Sequence, residues 1–281
     1  MKWSKCRKNF LNLILAILLV TSFWGANPSF AQDVSKPYAH SAKHFVLVHG
    51  AWHGSWVWYK IAPLLEAGGH QVTLINLPAH GIDLSSPGSV TLENYTERVT
   101  KFLDTVVDPV VLVGHSMGGI VISSAAEARP GKIEKLVYLA AFLVRNGESM
   151  IQWASQDTDS ITGQNLIVDP VAGTIDVDRS VIEDAFYNTS LPHDITLAST
   201  LFRINPLAPI VTELNLTPAN YGSVRRFYIK TEQDFAVTPW LQNQMLLASP
   251  CESVYSINGD HSPFFSRPLQ LTALLVLIAL Q

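Results

Sequence analysis

The chain alternates between short runs of β-branched and apolar residues and longer stretches in which apolar residues recur with a helical period. From His44 onward this rhythm is typical of a parallel sheet that is buried on both faces and crossed by helices. Six strands are predicted, at His44–Val48, Gln71–Leu77, Val110–Val113, Lys135–Leu139, Arg225–Lys230 and Ser253–Ile257. Helices are predicted at Trp56–Ala67, Leu92–Val106, Gly118–Arg129, Pro239–Ala248 and Pro268–Leu280. The expected fold class is therefore α/β, with an open, mostly parallel, doubly wound sheet.

One interval breaks this alternation, because about 85 residues separate the strand that ends near Leu139 from the strand that begins at Arg225. A crossover connection needs far fewer residues. The interval contains a hairpin-like turn and two helical patterns, at Asp169–Thr174, Val181–Tyr187 and Asp194–Leu201. Open α/β sheets bind ligands at the edge where their strands end. We therefore expect residues 145–220 to form a cap over that edge, inserted in a single domain of residues 32–281.

The first 31 residues have a different composition. Four basic residues precede an apolar run from Phe10 to Trp24, and the small residues of Ser29-Phe30-Ala31 follow. This pattern predicts an export signal that is cleaved near Ala31, giving a periplasmic or secreted protein. The alternative is an uncleaved anchor, but the apolar run is shorter than the roughly 20 residues that a spanning helix needs. No stable membrane insertion is expected after cleavage.

Composition and charge exclude some classes of function for this protein. The 281 residues are 48% hydrophobic and 15% charged, which suits one globular domain. Residues 1–31 hold four of the 19 basic residues and none of the 23 acidic ones, so the remainder carries a net charge of about −8. That charge argues against a nucleic-acid partner. Cys6 lies in the leader and leaves Cys251 alone, and the nine scattered histidines lack metal-ligand spacing. We expect neither a disulfide nor a metal site.

The strongest chemical signal is Gly114-His115-Ser116-Met117-Gly118, directly after a β-branched strand and directly before a helix. This context is typical of a nucleophile elbow, in which the flanking residues must be tiny because the turn is so tight. The pattern alone is weak, since a glycine-rich turn can also serve packing. Its position after a strand favours Ser116 as a catalytic nucleophile.

A serine nucleophile needs a base and an acid that orients the base. In an elbow-type fold these partners follow in later loops, in the order serine, acid, histidine. Asp234 follows one predicted strand and His261 follows the last one. Glu232 and Asp260 are rival acids, but Glu232 sits closer to the end of its strand and Asp260 adjoins the histidine. We predict a triad of Ser116, Asp234 and His261.

The oxyanion that forms during ester attack needs main-chain donors from the residue after the nucleophile and from the loop after the first strand. These positions are occupied by Met117 and Ala51. His49, His53 and His115 flank the expected site, and for each of them a structural, hydrogen-bonded role is favoured over that of a second base.

Several segments of the chain match the sequence pattern of one known family. They are His44–Trp56 (HFVLVHGAWHGSW), Tyr59–Lys60, Gly69–Thr73, Tyr221–Asp234 and Gly259–His261. From about residue 44 to its end the chain resembles the plant methylesterase and hydroxynitrile lyase family of α/β-hydrolases, with related bacterial esterases. The resemblance implies the α/β-hydrolase fold and catalysis without a cofactor. It also implies a protein that is often dimeric and acts on compact substrates, such as methyl salicylate-like esters or cyanohydrins.

Three departures separate this chain from the lyase branch. The lyases carry a threonine at the position of Gly50, a lysine at that of Ser262 and a glutamate at that of His115. In the lyases the threonine binds the cyanohydrin hydroxyl and the lysine stabilises the departing cyanide. Because this chain lacks both residues, the resemblance implies esterase activity rather than lyase activity.

The resulting prediction is a serine carboxylic-ester hydrolase for small, largely apolar or aromatic esters, acting through an acyl-enzyme. Candidate substrate-binding residues, for which plain core packing is the alternative, are Gly50, Trp52, Trp153, Phe186 and Leu201. Two other functions stay open: a binding protein for a small aromatic acid, and a lactone or carbon–carbon bond hydrolase. A haloalkane dehalogenase is excluded because it needs a carboxylate where Ser116 stands.

Overall fold

A computed structural model describes residues 42–281. The predicted export signal, its cleavage near Ala31 and Cys6 lie outside the described residues. No helix within the described part of the chain is long and apolar enough to cross a membrane.

The expected parallel sheet is confirmed. Its six strands are β1 (His44–Val48), β2 (Gln71–Ile75), β3 (Val110–His115), β4 (Ile133–Leu139), β8 (Arg225–Thr231) and β9 (Ser253–Ile257). A second sheet holds β5 (Leu166–Asp169), β6 (Thr174–Val177) and β7 (Asn205–Pro206). The strands of the parallel sheet pair in the order β2-β1-β3-β4-β8-β9, and every pair is parallel. The apolar side chains of β1, β3 and β4 are buried, as expected for central strands that are covered on both faces.

Helices cover both faces of this sheet. The α-helices span Ile61–Ala67, Leu92–Leu103, Gly118–Ala128, Pro239–Ala248, Pro263–Ser266 and Pro268–Ala279, and short 3₁₀ helices span Ser55–Lys60, Pro87–Ser89, Pro130–Lys132 and Tyr221–Ser223. The predicted helix over Trp56–Ala67 is divided at Ile61. Pro63 has no N–H to donate and crowds the carbonyl four residues back, so a continuous α-helix cannot pass through it and Pro63 lies in the first turn of a new helix.

The long interval between β4 and β8 folds as a smaller layer of strands and helices. Its strands β5 (Leu166–Asp169), β6 (Thr174–Val177) and β7 (Asn205–Pro206) form an antiparallel sheet, and Asp169 pairs with Thr174 across the predicted hairpin turn. Its helices are Met150–Ala154, Ile161–Gln164, 3₁₀ Arg179–Val181, Ile182–Phe186, Pro192–Leu201 and Ala208–Val211. We call this segment, residues 145–220, the inserted segment.

The final helix is part of the core. Leu271, Leu275 and Ile278 are fully buried on it, and it packs against the helix Ile61–Ala67. The buried ammonium group of Lys135 donates to the carbonyl of Ala279 at the end of this helix, 2.9 Å away, where a positive charge is favoured by the helix dipole.

Candidate active site

Ser116 lies in a sharp turn between β3 and the helix Gly118–Ala128. Its φ is +53°, in the left-handed region that non-glycine residues seldom adopt. A Cβ atom at Gly114 would lie 2.6 Å from the carbonyl oxygen of Gly118, and one at Gly118 would lie 2.9 Å from that of His49. Both flanking positions therefore require glycine, and the turn has the geometry of a nucleophile elbow.

Main-chain hydrogen bonds hold this strained turn in place. The Ser116 N–H donates to the carbonyl of Leu139 at 3.2 Å, and the Ser116 carbonyl accepts from the N–H groups of Gly119 and Phe142, each at 3.0 Å. Strain of this kind persists only where surrounding contacts fix it, and it is common at functional positions.

The structure pairs His261 with Asp234. The imidazole Nδ1 of His261 lies 2.7 Å from the carboxylate Oδ2 of Asp234, and both side chains are buried. Because a carboxylate oxygen can only accept, Nδ1 of His261 is the donor in this bond. A neutral imidazole in this tautomer is the form that can accept a proton from a nucleophile.

Asp234 is held by four further donors. Its Oδ1 accepts from the N–H groups of Ala236 and Val237, both at 2.8 Å. Its Oδ2 accepts from the Thr231 hydroxyl at 2.7 Å and from the Gln242 amide at 3.3 Å. This set of bonds fixes the orientation of the carboxylate, which in turn fixes the ring of His261.

The two rival acids lie elsewhere. Glu232 is exposed to solvent. Asp260 is buried, but its carboxylate accepts from the Thr189 N–H at 3.0 Å, the Ser190 hydroxyl at 2.8 Å and the Ser266 hydroxyl at 2.7 Å. Asp260 therefore ties the loop of His261 to the inserted segment.

His115 connects the loop of His261 to the Ser116 turn. Its Nε2 donates to the main-chain carbonyl of His261 at 2.8 Å, and the two rings lie 4.6 Å apart. Burial holds the pKa of His115 well below its usual value, with the nearby ring of His261 acting in the same direction. A neutral His115 next to Ser116 thus holds the loop of His261.

The loop after β1 lies directly against Ser116. A Cβ atom at Gly50 would lie 2.8 Å from the Cβ of Ser116. Ala51 and Met117 are buried, and among residues 42–281 neither main-chain N–H donates a hydrogen bond. Buried N–H groups without partners are rare, so these two amides are available for an oxygen atom bound at Ser116.

The neighbouring histidines have structural partners. The Nδ1 of His49 donates to the Gly50 carbonyl at 2.8 Å, and its Nε2 accepts from the Leu77 N–H at 3.1 Å. The Nδ1 of His53 donates to the Ala51 carbonyl at 2.6 Å, and its Nε2 accepts from the Tyr187 hydroxyl at 2.6 Å. Burial lowers the pKa of His53 to about 3 and that of His49 well below its usual value. The hydrogen bonds of both rings stabilise the loop that carries Ala51.

A mainly apolar cavity opens at Ser116. Trp52 and Phe186, two of the predicted substrate-binding residues, line it together with Ser116. Sequence reasoning did not identify the other lining residues, which are Phe142, Met150, Ile151, Ala154, Asp157, Ser160, Thr162, Gly163, Leu166, Ile175, Ile210, Ala236, Val237 and Leu241. Most of them lie in the inserted segment, where short helices leave little periodic signal.

The other two predicted wall residues, Leu201 and Trp153, are not among the side chains that line this cavity. Leu201 is 38% exposed at the end of its helix, and it borders a separate surface depression with Tyr59 and Leu74. Trp153 is buried, but its indole N–H donates to Glu148 at 2.7 Å. Within residues 42–281, neither side chain is among those that line the cavity at Ser116. In the same part of the chain no group of three or more His, Cys, Asp or Glu side chains could hold a metal ion.

Comparison with known proteins agrees with this architecture. The model of the alpha/beta hydrolase family matches residues 45–274. A putative chloroplastic methylesterase 11 of Arabidopsis thaliana is 42% identical over 250 residues, covering 84% of this chain and 64% of the relative. The crystal structure of an Arabidopsis methylesterase superposes with a TM-score of 0.74 at 31% identity, covering 85% of this chain and 99% of the other.

A tomato methylketone synthase I structure, determined with 2-tridecanone, superposes with a TM-score of 0.77 at 30% identity, covering 85% of this chain and 98% of the other. The chain spans less than two thirds of the length of the first curated relatives, from 56% to 64%. The sheet, the turn at Ser116 and the match over residues 45–274 lead to one conclusion: the chain belongs to the alpha/beta hydrolase family.

Proposed function

We propose that this protein is a serine ester hydrolase that cleaves small, largely apolar or aromatic esters through an acyl-enzyme. The observation that carries the proposal is the buried pair of His261 Nδ1 and Asp234 Oδ2, 2.7 Å apart, in a loop that His115 ties to the strained turn of Ser116. An ordinary packing turn needs no imidazole that a buried carboxylate orients beside it.

In the proposed reaction the Ser116 oxygen attacks the ester carbonyl carbon while Nε2 of His261 takes the hydroxyl proton. The carbonyl oxygen becomes an oxyanion that accepts from the Ala51 and Met117 N–H groups. His261 then passes its proton to the departing alcohol, which leaves an acyl group on Ser116. Water attacks this acyl-enzyme with the same base and releases the acid.

The cavity supports the proposed substrate class. Its walls are mainly aliphatic and aromatic side chains, Trp52 and Phe186 among them. Trp52 and Phe186 also pack against each other, with ring centroids 5.7 Å apart. A compact apolar or aromatic group gains most from such walls. The methylesterase names of the relatives favour esters of small alcohols.

Substitution of the nucleophile tests the proposal. Ser116→Ala should abolish hydrolysis of p-nitrophenyl esters and labelling by a fluorophosphonate. Ser124→Ala is the matched control, since Ser124 lies on the helix after the turn and donates to the carbonyl of Ile120. Retained labelling in the Ser116 variant would place the nucleophile elsewhere.

A substrate panel distinguishes the proposed function from its alternatives. A protein that only sequesters a small aromatic acid would bind the acid but turn over no ester. A lactone or carbon–carbon bond hydrolase would prefer those substrates over every aryl and alkyl ester of graded size. We expect multiple turnovers on small esters, with acid and alcohol released in equal amounts.

A further inference from the structure

Four consecutive residues of the inserted segment, Tyr187–Ser190, contact three loops of the candidate active site. They form a turn, since the Ser190 N–H donates to the carbonyl of Tyr187 at 2.8 Å. The turn directly follows Phe186, which lines the cavity at Ser116. We call residues 187–190 the bridging turn.

The first contact reaches the loop that carries the proposed oxyanion donor Ala51, residues 49–54, called the oxyanion loop. The Tyr187 hydroxyl donates to Nε2 of His53 at 2.6 Å, and Nδ1 of His53 donates to the carbonyl of Ala51, also at 2.6 Å. Tyr187 and His53 are both buried. Holding the carbonyl of Ala51 limits the movement of the whole residue, and with it the direction of its N–H.

The second contact reaches the loop that carries His261, residues 259–262, called the base loop. The Thr189 N–H donates to the carboxylate of Asp260 at 3.0 Å, and the Asp260 N–H donates to the Thr189 hydroxyl at 3.2 Å. The Ser190 hydroxyl donates to the same carboxylate at 2.8 Å. Asp260 is fully buried and directly precedes His261, so these bonds hold the base loop.

The third contact reaches the loop of the acid. The Asn188 side-chain amide donates to the carbonyl of Gln233 at 3.2 Å, in the peptide unit that leads into Asp234. Asn188 is exposed, so this bond contributes less than the buried ones. Phe186 adds apolar contacts, because its ring centroid lies 5.6 Å from that of His261.

The sheet alone does not set the oxyanion loop against the base loop. The two loops follow β1 and β9, which are separated by three other strands, so no strand pairing joins them. Attack on an ester needs the base and the oxyanion donors in register, and a misplacement of about 1 Å can cost about 100-fold in rate. The bridging turn contacts both loops.

We propose that the bridging turn is a positioning element that holds the oxyanion loop and the base loop in register, with Tyr187 and Ser190 as its positioning residues. The inference rests on the proposed function. Among residues 42–281, none of the four residues of the turn is among those that line the cavity at Ser116. The turn therefore acts through the two loops.

Hydrogen exchange tests, without turnover, whether the turn acts as one unit. In the Ser116→Ala background, Ser190→Ala removes a bond to the base loop and Tyr187→Phe removes a bond to the oxyanion loop. We expect each variant to speed amide exchange in both loops, by about threefold to tenfold. Exchange that rises only in the loop that lost its own bond overturns the inference.

Two matched controls account for the loss of a hydroxyl group as such. Ser180→Ala removes a hydroxyl of the inserted segment that donates to Asp178 at 2.7 Å. Tyr221→Phe removes a buried phenol hydroxyl that accepts from Tyr138 at 3.2 Å. Both variants should leave exchange in the two loops unchanged, and an equal rise in them would overturn the inference.

Steady-state kinetics gives a second readout. Tyr187→Phe and Ser190→Ala should each lower kcat about tenfold with little change in KM, because acylation and deacylation use the same base and donors. The loss should be the same for p-nitrophenyl acetate and butyrate, whereas Phe186→Ala should change the ratio between these esters. Ser190→Thr keeps the hydroxyl and should retain kcat.

The double variant Tyr187→Phe, Ser190→Ala should lose about as much kcat as the more affected single variant, because residues that act as a unit are not additive. A loss equal to the product of the two single losses would show two independent bonds and overturn the inference.

The two readouts separate this inference from the proposed function. Coupled exchange of both loops in a protein that turns over no ester would refute the proposed function alone. Rapid ester hydrolysis by the unmodified protein, with kcat unchanged in Tyr187→Phe and Ser190→Ala, would refute the role of the bridging turn alone. Circular dichroism should first show that the compared variants are equally folded.

Discussion

The side-chain carbonyl of Asn205 accepts a hydrogen bond from the main-chain N–H of Trp52, 3.3 Å away. The same amide contacts Met117, with Nδ2 3.7 Å from the sulfur atom. Asn205 is fully buried in β7, so one side chain of the inserted segment touches the neighbour of Ala51 and the residue after Ser116. Trp52 has a φ of +61°, and it is further held by bonds to the carbonyl of Ile175 and from the N–H of Arg203.

We therefore expect Asn205 to position the oxyanion donors. Asn205→Ala should lower kcat by about tenfold to 100-fold with a smaller change in KM, because misplaced donors weaken binding of the transition state more than of the substrate. Steady-state kinetics on a p-nitrophenyl ester will show this. Asn243→Ala, a change at an exposed asparagine that accepts from Lys230, should leave both constants unchanged. An equal loss in the two variants would contradict the prediction.

The second prediction concerns the choice of acid. Asp234→Asn removes the carboxylate that orients His261, and an amide can donate where only acceptance is useful, so kcat should fall by about 10⁴-fold. Glu232→Gln changes an exposed side chain and should alter kcat less than about twofold. Both variants should be compared after circular dichroism has shown equal folding. The reverse ranking would assign the acid to Glu232.

The third prediction concerns stability against pH. Burial lowers the pKa of His53 to about 3 and also lowers that of His49, His80 and His115. The unfolded chain takes up protons on these rings as the pH falls through about 6.5, whereas the folded protein does so only at lower pH. The unfolded state then binds more protons, so the free energy of unfolding must decrease with acidification below about pH 6.5.

Urea unfolding between pH 7.5 and 5 checks this expectation. Each such ring contributes a slope of up to about 1.4 kcal/mol per pH unit below pH 6.5. The variant His53→Gln loses two hydrogen bonds and will be less stable at every pH, but its slope should be smaller by up to that amount. A free energy of unfolding that is constant from pH 6.5 to 5 would refute the prediction.

Local pattern was sufficient for the sheet and for the turn at Ser116. The predicted strands His44–Val48 and Ser253–Ile257 and the helix Pro239–Ala248 coincide with those of the structure. The strand His44–Val48 is a nearly continuous apolar run, as expected for a buried parallel strand, and Thr238 caps the helix. The glycines around Ser116 were informative because only glycine fits those close contacts.

The inserted segment was harder to predict because its contacts are long-range. The strand β7 has two residues, one of them proline, and pairs with β6 about thirty residues earlier. It is therefore too short for a local hydrophobic periodicity to predict it. Leu201 and Trp153 have the right chemistry for cavity walls, but only packing decides which way each side chain points. Asp157 and Thr162 carried no signal, since polar residues in a cap are usually exposed.

The last prediction concerns Gly50. A Cβ atom there would lie 2.8 Å from the Cβ of Ser116 and 3.0 Å from Nδ1 of His115, both of which are closer than normal contacts between such atoms. Even Gly50→Ala should therefore displace the loop of Ala51 from the nucleophile and lower kcat/KM by about 100-fold or more. Gly131→Ala is the control, because a Cβ atom at Gly131 has nothing within 4 Å.

The same geometry bears on lyase chemistry. Gly50→Thr would add two more atoms to a position that has no room for one, so its hydroxyl cannot reach a substrate without movement of Ser116. Ser262 is fully buried, so Ser262→Lys would place an ammonium group where desolvation opposes its charge.

The unmodified protein should hydrolyse aryl esters and release no cyanide from mandelonitrile above the spontaneous rate. The double variant Gly50→Thr, Ser262→Lys should lose esterase activity without gaining cyanide release. Faster cleavage of mandelonitrile than of any tested ester by the unmodified protein would show that a glycine at position 50 does not select hydrolysis over lyase chemistry.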